Sequence, residues 1–227
     1  MKLSNKILIG FFGCTFLYMT AAFTELRFKG DIHRFVDSNS ISETTSIAGV
    51  NYLVLSDLDQ RITVSGSDDP RIEVTSATGD LMQYLKYAVS GDTLFIKKSA
   101  PSEKLRFNVS IHVSKANFIG MTSTNTGVTI HDLEQETLNI IQSDGWIRMT
   151  GNNRFGKITL KAQNKADFRL LNGNVDTLHA IINKSDVSIS QPLKLVKGTM
   201  TNESYLRIGA AGEIQFKTDE SSRLVLN

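Results

Sequence analysis

The 227-residue sequence predicts an all-β protein, a parallel β-helix (β-solenoid) preceded by one N-terminal hydrophobic helix. Three observations carry this prediction. From Gly49 onward the chain is written in short runs that alternate apolar and polar residues, which marks strands with one buried face. Beyond residue 117 such runs recur at a nearly fixed interval. Ahead of both, a long uncharged segment follows a basic N-terminus.

That segment is "ILIGFFGCTFLYMTAAFT", the 18 residues from Ile7 through Thr24. Its length is at the short limit for a helix that spans a bilayer. Lys2 and Lys6 in front of it predict a cytoplasmic N-terminus and an exported body. Residues 1–24 are therefore expected to be a membrane anchor, with a signal peptide as the alternative, cut after the small residues Thr20 and Ala22. Cys14 is the only cysteine, so the exported part has no disulfide and its stability rests on packing. "FFGC" resembles a lipoprotein acylation site, but apolar sequence continues past Cys14, where a lipoprotein turns polar. Residues 25–48, polar and rich in Ser and Thr, are expected to form a stalk or lead-in.

The solenoid domain is expected from 49 to 227. "RITV" at 61–64 and "RIEV" at 71–74 flank the turn-rich "SGSDDP". In "LRFNVSIHV", Leu105, Phe107, Val109, Ile111 and Val113 alternate with polar residues over a full strand. "TLFIKK" at 93–98 follows the turn signal "SGD". Only "LMQYLKYAV" at 81–89 has a pattern that also suits a short helix, and its aromatic content leaves a strand open.

From Phe118 the chain repeats, with further unit starts at Leu138, Ile158, Leu178, Val196 and Ile214, spaced 20, 20, 20, 18 and 18 residues apart. Each unit closes on two apolar residues separated by one: Val128 and Ile130, Ile147 and Met149, Phe168 and Leu170, Val187 and Ile189, Leu206 and Ile208, Leu224 and Leu226. Between the halves lie "STNTG", "SDG", "QNKA", "NKSD", "TNES" and "DESS", all turn compositions. A unit this short cannot bury an apolar face alone. Stacked at about 4.8 Å per layer, each backbone bonds to the coils above and below and identical columns fill one interior. A β-sandwich also suits alternating strands with frequent turns. The fixed register of the closing pairs favours the solenoid.

The N-terminal hydrophobic segment, the lead strands "VNYLVLSDLDQRITVSGSDDPRIEV", then "VSGDTLFIKK" and the coil array together resemble the "head GIN" domain of autotransporter-adhesin-type bacterial envelope proteins, over residues 45–227. The family often punctuates its coils with Gly-Ser-Gly-like turns, which here read "SDG", "NKA", "KSD" and "NES". The resemblance implies a right-handed β-helix that faces the periplasm or the exterior. It supplies no catalytic residues. The expected location is the bacterial cell envelope, with the body anchored and exported, or secreted after cleavage.

Little in the sequence points to chemistry. His33 lies in the stalk, His112 and His179 alternate with apolar neighbours, and His131 follows the end of a coil. None has metal-ligand spacing, so stray surface histidines are the simpler reading and no metal or cofactor is expected. Asp132, Glu134 and Glu136 cluster in one turn, and Asp219 and Glu220 in another about four coils away, too far to act as one acid–base pair. Asp144 and Asp186 sit in turns two coils apart. No phosphate-cradling loop or serine elbow appears. No catalytic residue is therefore assigned, and a polysaccharide-active enzyme is the least favoured reading.

The feature closest to a site is a column. The outward residues between the closing pairs are Thr129, Arg148, Arg169, Ser188, Arg207 and Val225. Arg148, Arg169 and Arg207 on one flat face suit carboxylates or sulfates of an extended polymer; a solvated, soluble strand face is the plainer explanation. Trp146, the only tryptophan, lies beside them, placed either to stack on a sugar ring or to fill a corner of the core. Discounting Lys2 and Lys6 leaves 23 basic against 23 acidic residues, which argues against nucleic-acid binding through bulk charge. The expected role is adhesion, or binding of an acidic glycan or other envelope polymer. The alternative is an assembly module, because a final coil at "SSRLVLN" leaves ladder groups for a second copy to cover.

Overall fold

The computed structural model describes residues 41–58, 61–76, 85–98 and 107–226, together with Phe12, Thr15, Phe16 and Met19. The chain divides into two compact units, Met1–Ser38 and Asn39–Asn227. Only the four isolated residues of the first unit are described; they are helical with exposed side chains. The rest of the hydrophobic helix expected at 1–24, and residues 25–40 of the stalk or lead-in expected at 25–48, lie outside the described residues. No helix among the described residues is long and apolar enough to cross a membrane.

The described part of the second unit contains strands and turns but no helix. Its leading strands are β1 (Ile41–Ser46), β2 (Tyr52–Ser56), β3 (Arg61–Ser67), β4 (Arg71–Ser76), β5 (Leu85–Ser90), β6 (Thr93–Lys98) and β7 (Phe107–Ser114). β8 (Gly120–Thr124) and β9 (Gly127–His131) open a regular array. Next come β10 (Glu134–Ser143) with β11 (Trp146–Thr150), then β12 (Arg154–Gln163) with β13 (Asp167–Leu170). β14 (Asn174–Asn183), β15 (Asp186–Thr201), β16 (Tyr205–Thr218) and β17 (Arg223–Leu226) complete a solenoid of about five turns.

The coils pair in parallel with the register that the repeat predicts. Leu138, Ile158, Leu178, Val196 and Ile214 stand opposite one another on successive coils. Val128, Ile147, Phe168, Val187, Leu206 and Leu224 do the same on the facing sheet. One step departs from it: Gly120 faces Asn139 and Met121 faces Ile140, a residue shorter than an alignment of Phe118 with Leu138. Phe118 turns into the core while its neighbour Ile119 stays exposed.

The leading strands do not stack in chain order. β2 lies parallel between β6 and β8, and β3 between β7 and β9. The coil β2–β3 is thus sandwiched between two later segments, so its ladders are satisfied on both edges. Beyond β6 and β7 the parallel pattern stops. β5 runs antiparallel to β6, β4 to β7, and β1 to β4. Ile72 and Val74 of β4 remain buried, but the outermost strand β1 contributes Glu43 and Thr45 in the same columns. The Thr45 hydroxyl meets the Tyr87 hydroxyl of β5 at 2.8 Å. On the β4 side this end of the core closes on polar groups, whereas on the β6 side Tyr87 and Val89 of β5 stay exposed in the columns of Ile96 and Leu94. Among the described residues, the core side chains come from positions between Ile47 and Ile208, which gives the unit Asn39–Asn227 an interior of its own.

The turns between the two facing sheets are stacked as strictly as the strands. At each coil the chain reverses through residues at positive φ, including Asp57, Asn125, Asp144, Lys184 and Asn202; all but Lys184 are Asn or Asp, which tolerate the left-handed region. A column of hydroxyls, buried except at Ser222, then joins the coils. Thr126 accepts from the N–H of Leu58, Ser185 from Ala166, Ser204 from Ser185 and Ser222 from Ser204. Thr126 and Ser185 also donate back to the carbonyls of Thr124 and Asn183, each at 2.9 Å. Where the column has Gly145 instead, Gln142 reaches from inside to the carbonyls of Gly145 and Asp167. Buried backbone donors are thereby satisfied at corners where no strand can supply a partner.

Ser204→Ala should destabilise the fold by about 1–3 kcal/mol, because it leaves the buried Ser185 N–H without a partner; chemical denaturation checks this. Asp219 makes a second staple, accepting the Asn202 N–H at 2.7 Å and bonds from Ser222 and Ser221. The Asn202 N–H, followed by the serine bonds, lowers its carboxyl from 3.8 to about 2. A carboxyl with a depressed folded value stabilises above its unfolded value and loses that contribution as pH falls through the folded one. The melting-temperature gap between wild type and Asp219→Ala should therefore be full at pH 7 and shrink from about pH 4 towards pH 2.

Candidate functional site

The solenoid presents two broad outward faces. On the face made by β9, β11, β13 and the following strands, Thr129, Arg148, Arg169, Ser188, Arg207 and Val225 form one column. Arg148, Arg169 and Arg207 are all exposed. The column beside it brings together residues distant in sequence: Arg61 and Trp146 each lie opposite Gly127, followed by Asp167, Asp186 and Tyr205.

Trp146 does not fill a corner of the core. It shares the parity of Arg148, whose neighbours Ile147 and Met149 are buried, so its ring must lie outside. The indole folds back over Gly127, where an added Cβ would come within 2.6 Å of the ring. Arg148 stacks on the same ring at 4.9 Å from its centroid, and Arg61 at 5.7 Å. Two guanidinium groups on one half-exposed indole make a cation–π cluster that leaves guanidinium donors for an anion.

The other two arginines are also engaged. Arg169 donates from Nε to Asp167 at 2.9 Å, and that carboxylate raises its pKa. Arg207 stacks on Tyr205 at 5.5 Å and donates to its hydroxyl at 3.2 Å. The column is therefore not a bare ladder of cations. It is two aromatic–arginine clusters, Arg61–Trp146–Arg148 and Tyr205–Arg207, separated by Asp167 and Asp186. Trp146 and Tyr205 lie three rungs apart along one column, about 14 Å at strand spacing.

The opposite face carries a different charge pattern, which the repeat alone contained but which the arginine column overshadowed. Lys86, Lys97, Lys157, Lys161, Lys197 and Lys217 all project from it. Among the described residues its only carboxylate is Glu213, and none of those lysines is in an ion pair. Ile141 and Ile181, 40% and 48% exposed, flank Lys161 in the same column. Reading every second residue of β10, β12, β14 and β15 from the sequence would have found this face.

At the third side of the coils, Glu134, Glu136, Arg154, Asp176 and Lys194 line a groove of about 870 Å³. Arg154 pairs with Glu134 at 3.2 Å and Lys194 with Asp176 at 2.8 Å, so the groove is largely self-neutralised. Asp132 accepts the Asn152 N–H from the next coil at 3.0 Å and pairs with His131 at 2.9 Å. The Asn152 bond first, then His131, lowers its carboxyl. Asp132 and Asp219 are thus turn staples.

His112 is more than a stray surface group. Its Nδ1 lies 2.9 Å from the Ser65 hydroxyl, and its Nε2 lies 3.9 Å from Glu73. Burial, then Arg71, lowers its pKa. The order Ser–His–Glu has the logic of an activated nucleophile, but Ser65 is only 6% exposed. β3 is also paired on both edges, which commits its own N–H groups to the ladder, so they are not free to hold an oxyanion. The trio reads as a structural hydrogen-bonded ladder. Among the described residues no group of three or more His, Cys, Asp or Glu is placed to hold a metal.

A β-solenoid with flat, charge-segregated faces is the class of protein these observations define. The chain belongs to the family described as "Putative auto-transporter adhesin, head GIN domain", whose model matches residues 54–225. No curated protein matches it. Among solved structures it is similar to a "putative adhesin" from Bacteroides fragilis, at 9% identity and a TM-score of 0.62, over 84% of this chain and 98% of that one. It is also similar to a "putative adhesin" from Parabacteroides distasonis, at 14% identity and a TM-score of 0.57, over 83% and 92% of the two chains. A third, described as a "putative lipid binding protein" from Parabacteroides distasonis, aligns at 14% identity and a TM-score of 0.56, over 84% and 97%. At these identities the likeness shows the fold.

Gly127→Ala should push the Trp146 ring off the sheet, since the new Cβ would meet it at 2.6 Å. The expected readout is a red-shifted tryptophan emission with the fold intact. Unchanged emission would mean that the ring does not rest on Gly127.

Proposed function

We propose that this protein is a non-catalytic, adhesin-like module of the bacterial cell envelope that binds an acidic extended polymer, such as an acidic glycan, along its arginine–aromatic stripe. The observation that carries this reading is Trp146, held outside the core between Arg61 and Arg148. A costly aromatic side chain on a solvent face is not explained by core packing, and an indole flanked by guanidinium groups suits a sugar ring that bears carboxylate or sulfate. Tyr205 with Arg207 repeats the pairing about 14 Å further along, a spacing that favours a chain over a single small molecule. Arg169, neutralised by Asp167, contributes orientation more than charge.

The family's adhesin description supports an exported body, and the apolar segment 7–24 behind Lys2 and Lys6 supports a membrane anchor, with the coil right-handed as in the family. The burial of Ser65, on a strand paired at both edges, supports a structural role for the Ser65–His112–Glu73 trio and binding over catalysis. A second reading, assembly through a coil end, is favoured by the exposure of Ile214 and Leu226 in the last coil.

The test is binding of residues 39–227 to acidic and neutral glycans at low and high salt, read by Trp146 fluorescence and calorimetry. Three variants run beside it: Trp146→Ala, the triple Arg148→Glu, Arg169→Glu, Arg207→Glu, and the lysine-face pair Lys161→Glu, Lys197→Glu. The expected outcome is salt-sensitive binding to acidic glycans that weakens at least tenfold in the first two variants, consistent with loss of about 1.4 kcal/mol or more, and persists in the third. Binding lost only in the lysine variant would move the site to the opposite face. No binding to any glycan would overturn the proposal.

A further inference from the structure

The coil from Gly209 to Leu226 differs from every coil beneath it. Ile214, Leu224 and Leu226 stand over Val196, Leu206 and Ile208, each of which is 0% exposed. Yet Ile214 is 36% exposed and Leu226 54%, and Phe216 in the same layer is only partly covered. An apolar layer that is core one rung lower is left uncovered at the end of the stack here.

Among the described residues, the part of β16 beyond Gly209 pairs only with β15, so its other edge is open. Asp219 donates its N–H back to Met200, Tyr205 to Ser185 and Arg223 to Ser204. Odd-numbered residues thus point toward the preceding coil. Successive residues of a strand point their polar groups to opposite sides, so Gly212, Ile214, Phe216 and Thr218 present N–H and C=O along the outer edge of β16. Such an edge is a template for another strand.

We propose that this edge pairs with the same edge of a second copy, β16 running antiparallel to its partner's β16 about a two-fold axis at Gln215. This rests on the reading of assembly through a coil end and adds its partner and register. The segment Glu213–Ile214–Gln215–Phe216–Lys217 is its own complement under that axis. On the inward side Ile214 meets the partner's Phe216, and on the outward side Glu213 meets the partner's Lys217. Both pairs occur twice. The even-numbered residues on the free edge then form the hydrogen-bonded pairs, and Gln215 meets the partner's Gln215 at a non-hydrogen-bonded position. Centring the axis on residue 213 or 217 instead would set like charges opposite each other, which is destabilising. A contact about a two-fold axis uses the same edge of both copies, so it closes as a dimer and does not propagate head to tail.

The test uses residues 39–227, which omit Cys14, the only cysteine, and so carry a single thiol once Gln215→Cys is made. At a non-hydrogen-bonded antiparallel pair the two Cα atoms lie about 4.5 Å apart, within the range a disulfide spans. Gln215→Cys should oxidise to a covalent dimer, whereas Lys197→Cys, one coil lower in the same column, should not. By sedimentation equilibrium the unmodified fragment should be a dimer. Glu213→Lys or Lys217→Glu alone should weaken it by about tenfold, as two cross-strand attractions become repulsions. The double reversal should restore it. A fragment that stays monomeric at high concentration would overturn both the assembly reading and the register. A dimer abolished by Ile214→Asp but not captured at Gln215→Cys would keep coil-end assembly and overturn the register. Open-ended polymers would overturn the two-fold axis.

Discussion

The constancy of register from coil to coil is the constraint on which the rest of this protein depends. Parallel ladders tie each strand to the rungs on either side, but ladders alone tolerate slippage where strands are short. The corners remove that freedom. Ser185, Ser204 and Ser222 each accept a buried N–H from the coil before, and a shift by one residue would break every such bond together. It would also exchange inward and outward side chains. Core columns and surface columns are thus consequences of the same staples.

With register fixed, the surface becomes an ordered array in which residues some 20 positions apart are neighbours. Arg148 stands beside Arg169 and Ile141 beside Lys161. A body that is neutral in total is therefore far from neutral locally. One face gathers lysines almost without carboxylates, the other couples arginines to aromatic rings and a short acidic patch, and the third side cancels its own charges in ion pairs. Net charge bounds the class of partner only when charge is evenly spread, and a solenoid sorts it by column.

The two ends of the described core are handled by different physics. At one end the parallel pattern gives way to antiparallel strands, and polar residues of β1 take over columns that hold Ile72 and Val74 one strand deeper. At the other end the columns remain apolar to the last rung, with Ile214 and Leu226 in positions where Val196 and Ile208 are buried. An end made of antiparallel strands, polar at β1 and apolar at β5, and an end made of one parallel coil are not interchangeable, and this asymmetry gives the molecule a direction.

Sequence by itself determined the strand content, the coil array from residue 118 onward and the alignment of Arg148, Arg169 and Arg207, because period-two alternation and a fixed repeat are local properties that stacking only reads out. It also placed the turns, whose Asn, Asp, Ser and Gly content reflects left-handed backbone and hydroxyl caps. Tertiary structure alone decided that β2 and β3 insert between strands later in the chain, since pairing across some 40 to 70 residues leaves no periodic trace. It alone brought Arg61 onto Trp146, which lie on coils whose order in space differs from their order in the chain. Ser65 and His112 met for the same reason. Trp146 shows the boundary between the two: its parity put it outside, but only the bare backbone of Gly127 beneath the ring and the guanidinium groups around it gave a solvent-facing indole something to rest on.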